Sequence, residues 1–175
     1  CVYVGSFHEG KGIEIIEKIS KKLPKINFHL YGDKSFLKKK IFNKNVKFYD
    51  FVKYNKVPSI LNTYHVALMP YGNKVIGRMQ NINLVNYMSP LKMFDYLASQ
   101  NIIIASKLKV YDHILKHKKN SIIIENEKDW ENWIELIFKS PKKFSYIKKN
   151  AFKTAKKFTW KNRATKIVNF YNKFI

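Results

Sequence analysis

The segment Ser89-Pro90-Leu91-Lys92-Met93-Phe94-Asp95-Tyr96-Leu97-Ala98-Ser99 runs through Gln100 into Asn101-Ile102-Ile103-Ile104. Its first part reads as a helix. Ser89 suits the N-cap, Pro90 suits the first helical position, where its missing N–H costs nothing, and Leu91, Phe94 and Ala98 form an apolar stripe. Its second part is a continuous β-branched run, the pattern of a strand buried on both faces. The same run recurs as Ser121-Ile122-Ile123-Ile124.

Outward from there, strand-like runs fall at about residues 1–5, 26–32, 45–49, 64–70, 101–105 and 121–125. Helical patterns lie between and after them. Ile16, Ile19 and Leu23 share one face ahead of Pro24, and Trp130, Trp133, Ile134 and Ile137 keep i, i+3, i+4, i+7 spacing. Trp160, Ala164, Ile167, Val168 and Tyr171 follow at comparable intervals, so the tryptophans read as core residues. Strand–helix alternation of this kind predicts an α/β fold: a Rossmann-like, doubly wound parallel sheet of about six strands with flanking helices. Residues 71–88 have no clean period and read as a long loop, containing Gly72, Gly77 and Asn73, Asn81, Asn83 and Asn86. Loops of that length inside compact domains are functional or disordered.

A chain of 175 residues with 46% hydrophobic and 15% aromatic residues can bury a real core, which excludes a disordered chain. No run reaches the roughly 20 uncharged apolar residues that span a bilayer. The single cysteine, Cys1, excludes an intrachain disulfide framework and a Cys-based zinc site. His8, His29, His65, His113 and His117 lack metal-ligand spacing, so no metal site is expected. His29 reads as structural, and His8 stands in the first turn.

The net charge of +22 invites a nucleic-acid reading, yet of 34 basic residues only Arg78 and Arg163 are arginine. Base readout and bidentate phosphate clamping favour the planar guanidinium. The clusters Lys38–Lys40, Lys116–Lys119, Lys142–Lys143 and Lys156–Lys157 are spread along the chain. They read first as solvated faces, and second as an attraction to phosphorylated substrates or anionic lipid headgroups. Nucleic acid is not the expected partner.

Two segments carry candidate chemistry. The turn Gly5-Ser6-Phe7-His8-Glu9-Gly10-Lys11-Gly12 joins a strand to a helix and sets amides and a lysine at the helix entrance, a place that favours an anion. Its spacing fits neither a dinucleotide fingerprint nor a P-loop. In the second segment, amides of the first turn and Lys92 could hold a diphosphate. Asp95 stands six residues past Ser89, about 9 Å along the axis, where a carboxylate could accept from two vicinal ribose hydroxyls. The plainer alternative is a Lys92–Asp95 surface pair at i, i+3.

The segment 89–98 resembles the S-P-L-K-M-F-E-Y-[LM]-A signature of GT-B glycosyltransferases of the large retaining family numbered four. Tyr3-Val4-Gly5-Ser6 with Gly10-Lys11-Gly12 resembles the opening of the C-terminal, donor-binding domain of that fold. Phe28 to Gly32, Val46-Lys47-Phe48, Val66 to Tyr71, and Phe158-Thr159-Trp160 with Arg163-Ala164 resemble its later elements in order. The resemblance implies one nucleotide-sugar-binding domain over 1–175, with an acceptor domain lying N-terminal to it and absent from these residues. It implies transfer of a sugar from a UDP- or GDP-sugar to a glycan, lipid-linked or small-molecule acceptor, with retention, in glycan or cell-surface polysaccharide synthesis. No further cofactor and no metal are implied. Gly5, Ser6 and Lys11 would contact the diphosphate from one side, and Ser89, Pro90, Leu91 and Lys92 from the other. Asp95 would bind the ribose; Gly32, Asp50 and Phe51 would border the base; His8 and Tyr87 would lie near the sugar. The implied location is cytoplasmic, with peripheral contact at the inner membrane face.

The departures are specific. Ser6 replaces a common Arg or Lys, Asp95 a Glu, Tyr87 a second Glu, and Asp50 a glycine, while His65 and His113 stand where acidic residues are common. A catalytically lapsed scaffold and a polyanion-binding module of the same fold are the alternatives.

Overall fold

The computed structural model describes residues 1–37, 43–76 and 82–174. Lys38–Lys40, Gly77, Arg78 and Asn81 lie outside the described residues. Six strands form one parallel sheet: β1 (Val2–Val4), β2 (Phe28–Tyr31), β3 (Val46–Tyr49), β4 (Val66–Met69), β5 (Ile102–Ser106) and β6 (Ile122–Ile124). Their order is β3-β2-β1-β4-β5-β6. Every neighbouring pair is parallel, with Tyr3 opposite Leu30, Leu30 opposite Phe48 and Leu68 opposite Ile104. The chain reverses its direction of travel across the sheet between β1 and β4, which is where open α/β sheets form a crevice at the carboxyl ends of the strands.

Side chains alternate across the sheet, so every strand but the edge strand β3 feeds two cores. On one face Tyr3, Leu30, Leu68, Ile104 and Ile122 meet Ile16 and Ile19 of α1 (Ile13–Lys22) and Trp130, Ile134 and Ile137 of α4 (Asp129–Lys139). On the other face Val2, Ala67, Met69, Ile103 and Ala105 meet Leu61 of α2 (Val57–Leu61). That second core also takes Met93, Tyr96 and Leu97 of α3 (Lys92–Ala98) and Ala151 of α5 (Ser145–Ala155). Asn45 ends α1: its buried amide donates to the carbonyls of Ser20, Leu23 and Ile26, satisfying acceptors that a helix end leaves open.

The structure corrects several local expectations. The loop over 71–88 is ordered at its described ends. Asn83 Oδ1 accepts from the amides of Val75 and Val85, Asn83 Nδ2 donates to the Asn73 carbonyl, and Val75 and Val85 are buried. Helix α3 begins at Lys92 rather than near Ser89, and Ser89 does not cap it. Its buried residues are Met93, Tyr96 and Leu97, whereas Leu91 and Ala98 are exposed. Trp130 is buried as expected. Trp160 is not: it is 79% exposed on α6 (Trp160–Tyr171), a helix with no buried residue.

Candidate functional site

Turns at the carboxyl ends of β1, β2 and β3 close on α3 around a cavity of about 460 Å³, a size that suits a small ligand. Gly5, Ser6 and His8 line it from the turn after β1, and Gly32 and Phe36 from the stretch after β2. Phe51 and Tyr54 follow β3, and Leu91, Lys92, Asp95 and Tyr96 come from α3 and its approach. The turns are drawn together by backbone bonds, with the Gly5 amide donating to the Tyr31 carbonyl at 3.0 Å and that of Gly32 to Tyr49 at 3.1 Å. A Cβ at position 32 would stand 2.2 Å from the Gly5 carbonyl oxygen, so only glycine permits this approach. The Val4 amide donates to the Tyr96 hydroxyl at 2.8 Å and fixes α3 against β1.

At the back of the cavity lies Lys92. Its Nζ is fully buried and has no hydrogen-bond partner among the described residues. It sits 3.7 Å from the centroid of the Tyr3 ring and 5.4 Å from that of Tyr71. Cation–π contact offsets part of the lost hydration. Burial, and secondarily the nearby charge of Lys11, hold the Lys92 ammonium well below its ordinary pKa. Lys11 stands over the outer part of this cluster, 5.2 Å from the Tyr71 ring centroid, and burial lowers its pKa as well. A buried amine with no acceptor, packed against Gly5, can take a hydrogen-bond acceptor or an anion that enters from the cavity.

Asp95 stands at the rim. Its Oδ1 accepts a hydrogen bond of 2.8 Å from the Tyr54 hydroxyl. Burial raises the Asp95 pKa, and the Tyr54 bond opposes that rise. The expected Lys92–Asp95 surface pair is therefore absent: one partner is buried and the other is bonded to Tyr54.

Of the residues singled out in the sequence, Gly5, Ser6, His8, Gly32, Phe51, Leu91, Lys92 and Asp95 line this cavity. The others are placed differently. Gly10 and Gly12, both at positive φ, pack backbone to backbone, where an added Cβ would meet the Lys74 and Pro70 carbonyl oxygens within 2 Å. They serve the join between α1 and the end of β4. Lys11 reaches the aromatic cluster without lining the cavity. Asp50 is 84% exposed in side chain and pairs with Lys34 at 3.1 Å. Tyr87 is exposed and lines neither this cavity nor its neighbour. Ser89 faces the neighbouring cavity, and Pro90 has no N–H to offer. Sequence reasoning missed Tyr3, Phe36, Tyr54 and Tyr71. Only Tyr54 had a signal, as an aromatic beside the Asp50–Phe51 stretch read as a base border.

A second cavity, of about 640 Å³, lies between α3 and α6 and contains Lys157, Trp160, Arg163 and Lys166. It shares Tyr54, Leu91 and Asp95 with the first. Among the described residues no helix is long and apolar enough to cross a membrane.

A family model described as glycosyl transferase-like matches residues 11–169, and the chain belongs to that family. The fold is that of GT-B glycosyltransferase domains. HepE from Anabaena, solved in complex with UDP, superposes with a TM-score of 0.80 at 15% identity, over 98% of this chain and 48% of that one. The C-terminal domain of the group 1 glycosyl transferase LpcC from Francisella tularensis gives 0.68 at 16%, over 90% and 84%. Sucrose-phosphate synthase from Thermosynechococcus elongatus gives 0.77 at 16%, over 99% and 44%. The chain thus spans about half the length of HepE and of the synthase. No curated protein matches by sequence.

Proposed function

We propose that residues 1–175 form the donor-binding half of a GT-B glycosyltransferase that takes a sugar from a nucleoside diphosphate sugar, with UDP-sugar favoured over GDP-sugar. The observation that carries this reading is the buried, unpartnered Lys92 amine packed against Gly5. The complexes of HepE with UDP and with UDP-glucose support the choice of nucleotide. The donor diphosphate takes the place in front of Lys92, its outer oxygens face Lys11, the ribose meets Asp95, and Phe51 borders the base. Phosphate oxygens supply the acceptors Lys92 lacks, so binding repairs an unsatisfied group.

In transfer, the bond between the anomeric carbon and the diphosphate oxygen breaks. The acceptor hydroxyl oxygen bonds to the same face of that carbon, and its proton passes to the departing diphosphate. Charge grows on the leaving diphosphate as that bond stretches, and a fixed ammonium in a water-poor pocket stabilises it more there than in the ground state. This assigns Lys92 the role given elsewhere to a metal ion. The retaining outcome, membership of family four and a place in glycan or polysaccharide synthesis rest on the sequence resemblance.

The acceptor would be held by a second domain. Two observations support this: the chain spans half of its two longer neighbours, and α6 leaves Trp160, Ile167, Val168, Phe170 and Tyr171 exposed. A cytoplasmic site with electrostatic attraction to an anionic membrane face fits the charge of +22.

UDP is expected to raise the melting temperature of the chain, and Asp95→Ala to abolish the rise. A rise that survives in Asp95→Ala would remove Asp95 from the site. No response to UDP or GDP at millimolar concentration would favour the lapsed scaffold, and salt-sensitive binding of DNA or heparin in its place the polyanion module.

A further inference from the structure

Asp95 is one methylene shorter than the glutamate of the signature its segment resembles, and its Oδ1 is already occupied. The occupant is the hydroxyl of Tyr54, from the short 3₁₀ turn Tyr54–Lys56 that follows β3. The ring is 72% exposed and lines both cavities, so packing does little to hold it there. The bond to Asp95 is what orients it.

We propose that Tyr54 is a specificity-determining residue that completes recognition of the ribose diol. The inference rests on the donor-binding reading above. A vicinal diol presents two O–H donors and needs two acceptors. The Tyr54 hydroxyl has one proton, which it gives to Asp95, and lone pairs that remain open toward the cavity. Asp95 keeps Oδ2. The pair Tyr54 Oη and Asp95 Oδ2 is therefore a two-acceptor fork, set farther from the α3 backbone than an aspartate alone could reach. One ribose hydroxyl donates to Tyr54 while Tyr54 donates to Asp95, a chain in which each bond polarises the next. The phenol thus restores the reach lost with the methylene.

The test is calorimetric titration of the 175-residue chain with UDP, 2′-deoxy-UDP and 3′-deoxy-UDP, repeated for Tyr54→Phe. That variant deletes one exposed oxygen and leaves the core untouched. The wild-type chain should prefer UDP to at least one deoxy analogue by about 10-fold or more, because that analogue leaves a polar group of the site unpaired. Tyr54→Phe should weaken UDP by roughly 3- to 10-fold, the worth of one net hydrogen bond, and leave the disfavoured analogue unchanged, so that the preference collapses. The double variant Tyr54→Phe/Asp95→Glu should recover the preference, since a glutamate can accept from both hydroxyls itself. A purely structural role for Tyr54 would not be rescued this way. Unchanged discrimination in Tyr54→Phe would overturn the inference and leave the donor reading standing. Tighter UDP binding in Tyr54→Phe would also overturn it, by making Tyr54 a cover over Asp95. Failure of the wild-type chain to bind UDP or GDP would overturn the donor reading, and this inference with it.

Discussion

Lys92 joins stability and binding in one side chain. A Cβ at position 5 would approach its Nζ to 2.6 Å, so Gly5 makes the room that the ammonium occupies. Burying a cation without an acceptor opposes folding, and replacing it by an apolar residue of similar volume removes that opposition. Lys92→Met is therefore expected to raise the melting temperature while eliminating the further rise caused by UDP, which thermal denaturation with and without nucleotide would read. The sign of the pH dependence follows from the lowered Lys92 pKa. Between that lowered value and the ordinary 10.5 the unfolded chain binds more protons than the folded one, so stability rises with pH across the window. In Lys92→Met that rise should shrink. A diphosphate beside the amine raises its pKa back toward the ordinary value, so at a pH between the lowered and the ordinary value binding should take up protons. Titrations in two buffers of different ionisation enthalpy would show it as a heat that scales with the buffer. The identity of Lys92 was legible in the sequence, but its burial was not. Leu91, Phe94 and Ala98 make as good a stripe as Met93, Tyr96 and Leu97, and a seven-residue helix does not say which one faces the sheet.

At the scale of elements, the strands were the most legible part. All six are short and largely apolar, and all but the edge strand β3 reach both cores, so their apolar runs stand out against the lysine-rich sequence between them. Helix starts were less legible because packing overrode local capping: α1 starts after Gly12 at positive φ with no side-chain cap, and α3 starts three residues beyond Ser89. The glycine-rich turn reads as a phosphate cradle because glycines that open a backbone to ligand and glycines that pack against another backbone look alike in sequence. Gly10, Gly12 and Gly32 are of the second kind, each with a backbone carbonyl oxygen within 2.2 Å of where a Cβ would stand, while Gly5 makes room for Lys92 Nζ. Asn45, with Asn43 beside it, ties α1 to the approach to β3. Asn45→Ala would take a donor from three carbonyls, of which, among the described residues, only that of Leu23 keeps another in the Ile26 amide, and should lower unfolding stability by about 1–3 kcal/mol in urea denaturation. The midpoint should fall with an unchanged slope.

Over the whole molecule, the ordered set of elements carried more information than any single motif. Strand order β3-β2-β1-β4-β5-β6 puts the turns after β1, β2 and β3 beside α3, and so brings Gly5, Gly32, Tyr54 and Lys92 together from positions far apart in sequence. What sequence periodicity could not reveal is which apolar faces find a partner within the chain. The stripe of α6 has the spacing of a core helix, yet Trp160, Ile167 and Phe170 are exposed on it. If a second domain holds the acceptor, the isolated chain should bind UDP and transfer no sugar; assay of the chain with UDP-sugar and glycan acceptors would check this, and robust transfer would contradict it. The larger cavity has a positive setting, since Lys157, Arg163 and Lys166 line it. The decisive measurement is therefore a structure of the chain with UDP bound. The account predicts the diphosphate within hydrogen-bond distance of Lys92 Nζ and the ribose against Asp95 and Tyr54. A diphosphate lodged instead against Lys157, Arg163 and Lys166, with Lys92 still unpartnered, would contradict it.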